Sequence, residues 1–213
     1  MSKLTEAFNE FNPRSAKDAK DILKEFIKIA ETVFYEGYFQ VNKGLKIYPI
    51  DIEFYMYDEK TYENNEFDWL KDYYMYHKNA DKEEVPYFPK EGSIYPHKSG
   101  VDITFENKDE EYRASFLIRA YYTDANNKII KKPTYLWEDM FGEHSFDDDG
   151  INIKWVDEHS EKTGELLWDV RYEFHVKNKE QDKKPWRCIK PIKGYTPIVN
   201  KDYTLLKLPL TIS

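Results

Sequence analysis

Residues 46–57, KIYPIDIEFYMY, alternate with the period of a strand. Ile50, Ile52, Phe54 and Met56 fall on one face, and Asp51, Glu53, Tyr55 and Tyr57 on the other. The apolar face is a core face. The opposite face carries two carboxylates and two phenols in a row, where a solvated strand face more typically carries Lys, Thr or Ser. A carboxylate between aromatic rings joins a general base to a stacking platform, which makes Glu53 the first candidate for chemistry.

Upstream, Ala19, Ile22, Leu23, Phe26, Ile27, Ala30 and Val33 recur at helical spacing and predict a helix with one apolar stripe. Ser15 is its expected N-cap, Asp18 the capping partner, and 34–37 its end. Residues 1–14 read as an irregular arm. Residues 58–98 show little periodicity and read as a long loop, a feature that is often functional. Val101, Ile103 and Phe105 then alternate with Asp102, Thr104 and Glu106. A polar turn at 107–110 leads into EYRASFLIRAYY, so the two strands form an antiparallel hairpin. Residues 123–132 read as a turn around 126–127. Residues 133–150 read as loop, with a short helix near 136–140 and an acidic turn at 147–150. Further strands are expected at 151–156 and 166–176, with short apolar pieces at PWRCIKPI and 205–210. One packing helix followed by mostly antiparallel strands and long connections predicts an α+β fold, a single domain over 1–213.

Composition changes this picture little. The chain has 213 residues, 40% hydrophobic and 17% aromatic, with 18 Tyr to 13 Phe. Tyr-rich chains build half-buried sheet faces and stacking surfaces. No apolar run approaches the roughly 20 residues that span a bilayer, and MSKLTEAFNEF lacks the apolar core of a signal peptide. The single cysteine, Cys188, leaves no internal disulfide and no cysteine-based zinc site. The expected setting is therefore the cytoplasm, with no membrane partner. The net charge is −8, yet residues 171–213 carry ten Lys/Arg against four Asp/Glu. From 178 onward the chain reads as a basic C-terminal segment, either a local phosphate-binding face or a solvated tail.

Several chemistries lack their residues. None of the five histidines, His77, His97, His144, His159 and His175, forms an HxxxH or HxH pair, and 147–149 lacks the spaced ligands of an EF-hand. No metal is expected. There is no GxGxxG and no GxxxxGKS/T, so no nucleotide cofactor is expected either. Cys188 lies beside Arg187, which would lower its pKa, but no nucleophile motif surrounds it. Arg119 sits in the apolar strand FLIRAYY and needs a partner there; Glu53 and Asp51 are the carboxylates to expect. Such a pair would serve catalysis or simply tie two strands together.

The order of these motifs resembles the alkyladenine (3-methyladenine) DNA glycosylases. Asp51-Ile52-Glu53-Phe54-Tyr55 is similar to their ETEAY strand. Gly92-Ser93-Ile94-Tyr95-Pro96-His97 is similar to GTLYVY, Ser99-Gly100 to the turn that follows, and Phe116-Leu117-Ile118-Arg119-Ala120 to the LLRA strand. Pro185-Trp186-Arg187 echoes a Pro-Trp-Arg-Phe segment of some members. The resemblance implies a curved, barrel-like antiparallel sheet and neither metal nor cofactor. It implies that Glu53 activates a water that attacks the sugar C1′, and that Arg119 holds that water and the carboxylate. Tyr55 would stack on a flipped base and His77 would lie against it, with Tyr95 and His97 in the same pocket. Damaged DNA or a nucleoside-like small molecule is the implied partner. The chain departs from the pattern at Phe54, where the family has a small residue. It departs again at Glu106, where the family's pocket asparagine falls. An acidic body also opposes a polyanion. The alternative expectation is a protein that keeps the fold and binds a small ligand without chemistry.

Overall fold

The computed structural model describes residues 1–42, 44–60, 66–72, 75, 86–125, 127–142, 150–171, 184–197 and 206–207. His77, the acidic turn at 147–149, the second half of the 166–176 strand and most of the basic C-terminal segment lie outside them.

The apolar stripe expected near the N-terminus forms helix α2 (Leu23–Tyr35), which buries Phe26, Ile27, Ile29, Ala30, Val33 and Phe34. It starts later than expected. Ser15 closes a short 3-10 turn, and Asp18 accepts the backbone N–H groups of Lys20 and Asp21 instead of capping. Residues 1–14 are not an irregular arm. Lys3–Glu10 form helix α1, capped by Ser2, whose hydroxyl accepts from the Thr5 N–H. Leu4 and Phe8, four residues apart, are its buried stripe.

Strands follow in chain order: β1 (Gly37–Val41), β2 (Leu45–Asp58), β3 (Ser93–His97), β4 (Gly100–Thr104), β5 (Tyr112–Thr123), β6 (Lys128–Ile130), β7 (Ile153–Asp157), β8 (Leu167–Asp169), β9 (Arg187–Ile189) and β10 (Leu206–Lys207), with helix α3 (Pro133–Phe141) between β6 and β7. The β4–β5 hairpin forms as expected. The sequence reading missed β1 and β3, and it read the stretch that holds β6 as a turn. All strands join one curled antiparallel sheet, a half-barrel in the order β10-β8-β9-β2-β5-β4-β3, with β1 and β7 added beside β2 and β6 beside β5. The fold is α+β and mostly sheet. Among the described residues no helix is long and apolar enough to cross a membrane.

One face of the sheet packs on the helices. Phe54 of β2 stacks on Phe26 of α2 at 4.3 Å between ring centroids, and Trp186 meets Phe26 edge-on at 5.5 Å. Phe8 of α1 stacks on Phe105 at 4.8 Å. Burying a phenylalanine contributes about 2–3 kcal/mol, so these rings carry much of the core. Gly100 lets α3 approach the sheet: its φ is +147°, and a Cβ there would lie 2.9 Å from Pro133 and from Leu117. The other face of the sheet carries charge.

Candidate functional site

Strand period alone puts Asp51, Glu53, Tyr55 and Tyr57 opposite the core residues Ile52, Phe54 and Met56. The antiparallel register then extends Glu53 into a row across the sheet. Tyr95 of β3 faces Asp102 of β4, Asp102 faces Leu117 of β5, Leu117 faces Glu53, Glu53 faces Arg187 of β9, and Arg187 faces Asp169 of β8. These residues are far apart in sequence and share one face because cross-strand partners always do.

β2 and β5 slip register on both sides of Asp51, and Ile50 and Arg119 fall at the slips. Alternation along β5 puts Arg119 on the same face as Leu117, and its Nη1 donates to Glu53 Oε2 at 2.9 Å. The Tyr55 hydroxyl donates to the same oxygen at 3.1 Å. Glu53 is 1% exposed, whereas Tyr55 and Arg119 are partly open to solvent. Burial works against the Arg119 charge, but Glu53 and then Asp51 outweigh it and hold the guanidinium above its ordinary pKa. Burial, then the Glu53 charge, push the Tyr55 phenol well above its ordinary value. Tyr55 is therefore a hydrogen-bond donor to Glu53 at any working pH.

Asp51 has a parallel arrangement that differs in one respect. Arg187 grips it through two nitrogens, Nε to Oδ1 at 2.9 Å and Nη2 to Oδ2 at 2.5 Å, and the Tyr195 hydroxyl donates to Oδ2. Arg187 also lies 3.8 Å from Asp169. Both side chains of the Asp51–Arg187 pair are buried. The fork geometry makes this the more rigid and more closed of the two pairs. The partners of Glu53 named above, Arg119 and Tyr55, are themselves partly open to solvent. A third buried pair, Arg171 with Asp72, sets the Arg171 guanidinium 4.8 Å from the centre of the Tyr55 ring.

Tyr95 and His97 lie on the neighbouring β3, with ring centroids 6.0 Å apart. The Ser99 N–H donates to His97 Nδ1 at 3.2 Å, which leaves the proton on Nε2, 3.2 Å from Asp102 Oδ1. Ser115, the cross-strand partner of Tyr55, donates to the other Asp102 oxygen at 3.4 Å. His97 thus braces Asp102.

Of the expected site residues, Glu53, Arg119 and Tyr55 meet directly, and Tyr95 and His97 border them through Asp102. Glu106 does not join this group. Its Oε2 accepts from the Phe88 N–H at 2.8 Å and from Arg113 at 3.2 Å, so it anchors segment 86–88. His77 lies outside the described residues. Arg187, which could have lowered the pKa of Cys188, does not do so. The two side chains alternate to opposite faces, and burial pushes the buried thiol well above its ordinary pKa.

The sequence reading did not single out Arg187, Tyr195, Asp169 or Asp102. One signal was present for Arg187: it too is an arginine inside an apolar run, in PWRCIKPI. Among the described residues no three His, Cys, Asp or Glu side chains gather as metal ligands do. No family model matches this chain, and neither does any curated protein or solved structure.

Proposed function

We propose that this protein hydrolyses the N-glycosidic bond of a modified purine, in damaged DNA or in a smaller nucleoside, in the manner of the alkyladenine DNA glycosylases that its motif order resembles. Glu53 is the general base. It takes a proton from a water whose oxygen bonds to the sugar C1′. The C1′–N bond breaks, its electron pair leaves with the base, and the departing nitrogen is protonated from solvent unless the base already carries a positive charge. Arg119 orients Glu53. Tyr55 and Tyr95 offer rings to the base.

The observation that carries this reading is the meeting of Glu53, Arg119 and Tyr55 at one carboxylate oxygen. The carboxylate is buried and its two partners are partly open. A base aimed at a bound sugar needs a fixed, largely dry carboxylate, and the buried Glu53 held by Arg119 and Tyr55 fits that need. The test is release of free base from ethenoadenine- and hypoxanthine-containing nucleosides, nucleotides and duplexes, comparing wild type with Glu53→Gln.

A second reading has its own support. Each of Glu53, Asp51 and Asp72 has an arginine partner, as expected of a polar face that only holds strands together or grips a ligand without reaction. Ligand binding with no base release by wild type selects it.

A further inference from the structure

We infer that the Glu53 site takes a nucleoside without phosphate and discriminates against nucleotides and nucleic acid; this rests on the reading of the site given above and narrows its substrate class. The argument is electrostatic. Among the described residues, five carboxyls, those of Glu53, Asp51, Asp102, Asp169 and Asp72, gather on and against this face with three guanidiniums, those of Arg119, Arg187 and Arg171. Each guanidinium is already committed to a carboxylate, Arg119 to Glu53 at 2.9 Å, Arg187 to Asp51 at 2.9 Å and Arg171 to Asp72. A phosphate on the same sugar would enter beside Glu53. It would have to compete for an arginine that a buried carboxylate holds, in a low-dielectric setting where like charges repel strongly. The whole chain, at −8, adds to this repulsion.

What the face does offer suits an uncharged or cationic ring. Tyr55 and Tyr95 are partly exposed, and Tyr95 belongs to the same cross-strand row as Glu53. Carboxyls beside aromatic rings accept from sugar hydroxyls and favour an electron-poor base. A nucleoside supplies both groups and brings no anion.

The experiment compares affinities on the full chain. Inosine, 1,N6-ethenoadenosine and 7-methylguanosine are each titrated against wild type, Glu53→Gln and Asp102→Asn, beside their own 5′-monophosphates and duplexes carrying the same base. Binding is measured by calorimetry, and base release is followed separately. The expected result is that the best-bound nucleoside binds about ten-fold or more tightly than its monophosphate and its duplex. Asp102→Asn removes one carboxyl but leaves Glu53, Arg119 and Tyr55 in place, and it narrows that gap by about three-fold or more. A monophosphate or duplex that binds as tightly as the nucleoside overturns the inference, and so does failure of every nucleoside to bind. If a nucleoside binds selectively and is not hydrolysed, the inference stands and the hydrolase reading falls.

Discussion

Arg119 and Glu53 lie 66 positions apart in the chain and meet at 2.9 Å because β5 runs antiparallel beside β2 with Leu117 opposite Glu53, and Arg119, two residues beyond Leu117, shares that face. The pair therefore has a stability signature as well as a chemical one. Arg119→Met leaves the Glu53 charge buried and costs about 2–4 kcal/mol. Adding Glu53→Gln to that variant recovers most of the loss. Urea unfolding of the two single variants and the double checks this. Additive losses would mean that the two groups do not depend on each other.

The Asp51–Arg187 pair is bidentate and more deeply buried, so breaking it costs more. Arg187→Met lowers stability by about 3–5 kcal/mol, above the cost of Arg119→Met. The comparison is made at one pH by the same unfolding measurement. A smaller loss for Arg187→Met would contradict the ranking of the two carboxylates.

Stability falls at alkaline pH for a stated reason. Burial, then a neighbouring carboxylate, raise the folded-state pKa of Tyr55 and of Tyr195. An unfolded phenol titrates near about 10. Below that pH both states keep the proton and the contribution is fully present. Above it the unfolded chain releases protons that the folded chain retains, and stability is lost as pH rises toward the folded values. Urea midpoints taken from about pH 8 to pH 11 should decline above about 10. The decline should be shallower in a Tyr55→Phe, Tyr195→Phe double variant. An equal slope in both proteins would contradict the assignment.

Cys188 is a packing residue. Its thiol is buried on the core face, and burial raises its pKa. A chromogenic thiol reagent at pH 8 should modify the native protein at least about 100-fold more slowly than the protein in urea. Rapid modification of the folded chain would mean that the thiol is accessible and activated.

Much of this architecture was legible from alternation alone. The run from Lys46 to Tyr57 gave β2 nearly to its ends, and the rows around Val101 and Arg119 gave the β4–β5 hairpin, because a half-buried strand must alternate. The need to neutralise a guanidinium in an apolar run narrowed the partner of Arg119 to Glu53 or Asp51, and the fold selects Glu53. Other elements left a weaker trace. Helix α1 is short, and only Leu4 and Phe8 mark its buried side. β3 contains Pro96 and is an edge strand of the sheet, where a proline is tolerated but obscures the pattern. The Asp51–Arg187–Tyr195 contact joins residues 136 and 144 positions apart, and spacing carries no information over such distances. Glu106, expected in the base pocket by its offset from Gly100, binds Phe88 and Arg113, contacts that spacing alone did not reveal.

The measurement that bears most directly on Glu53 as a general base is release of free purine by the wild-type chain and by Glu53→Gln, each first shown to be folded. The substrates are hypoxanthine and ethenoadenine, presented as nucleoside, nucleotide and duplex. Wild type should release base from at least one of them, and Glu53→Gln should lower that rate by about 100-fold or more. No release by wild type from any substrate, or release by Glu53→Gln at the wild-type rate, would contradict the account.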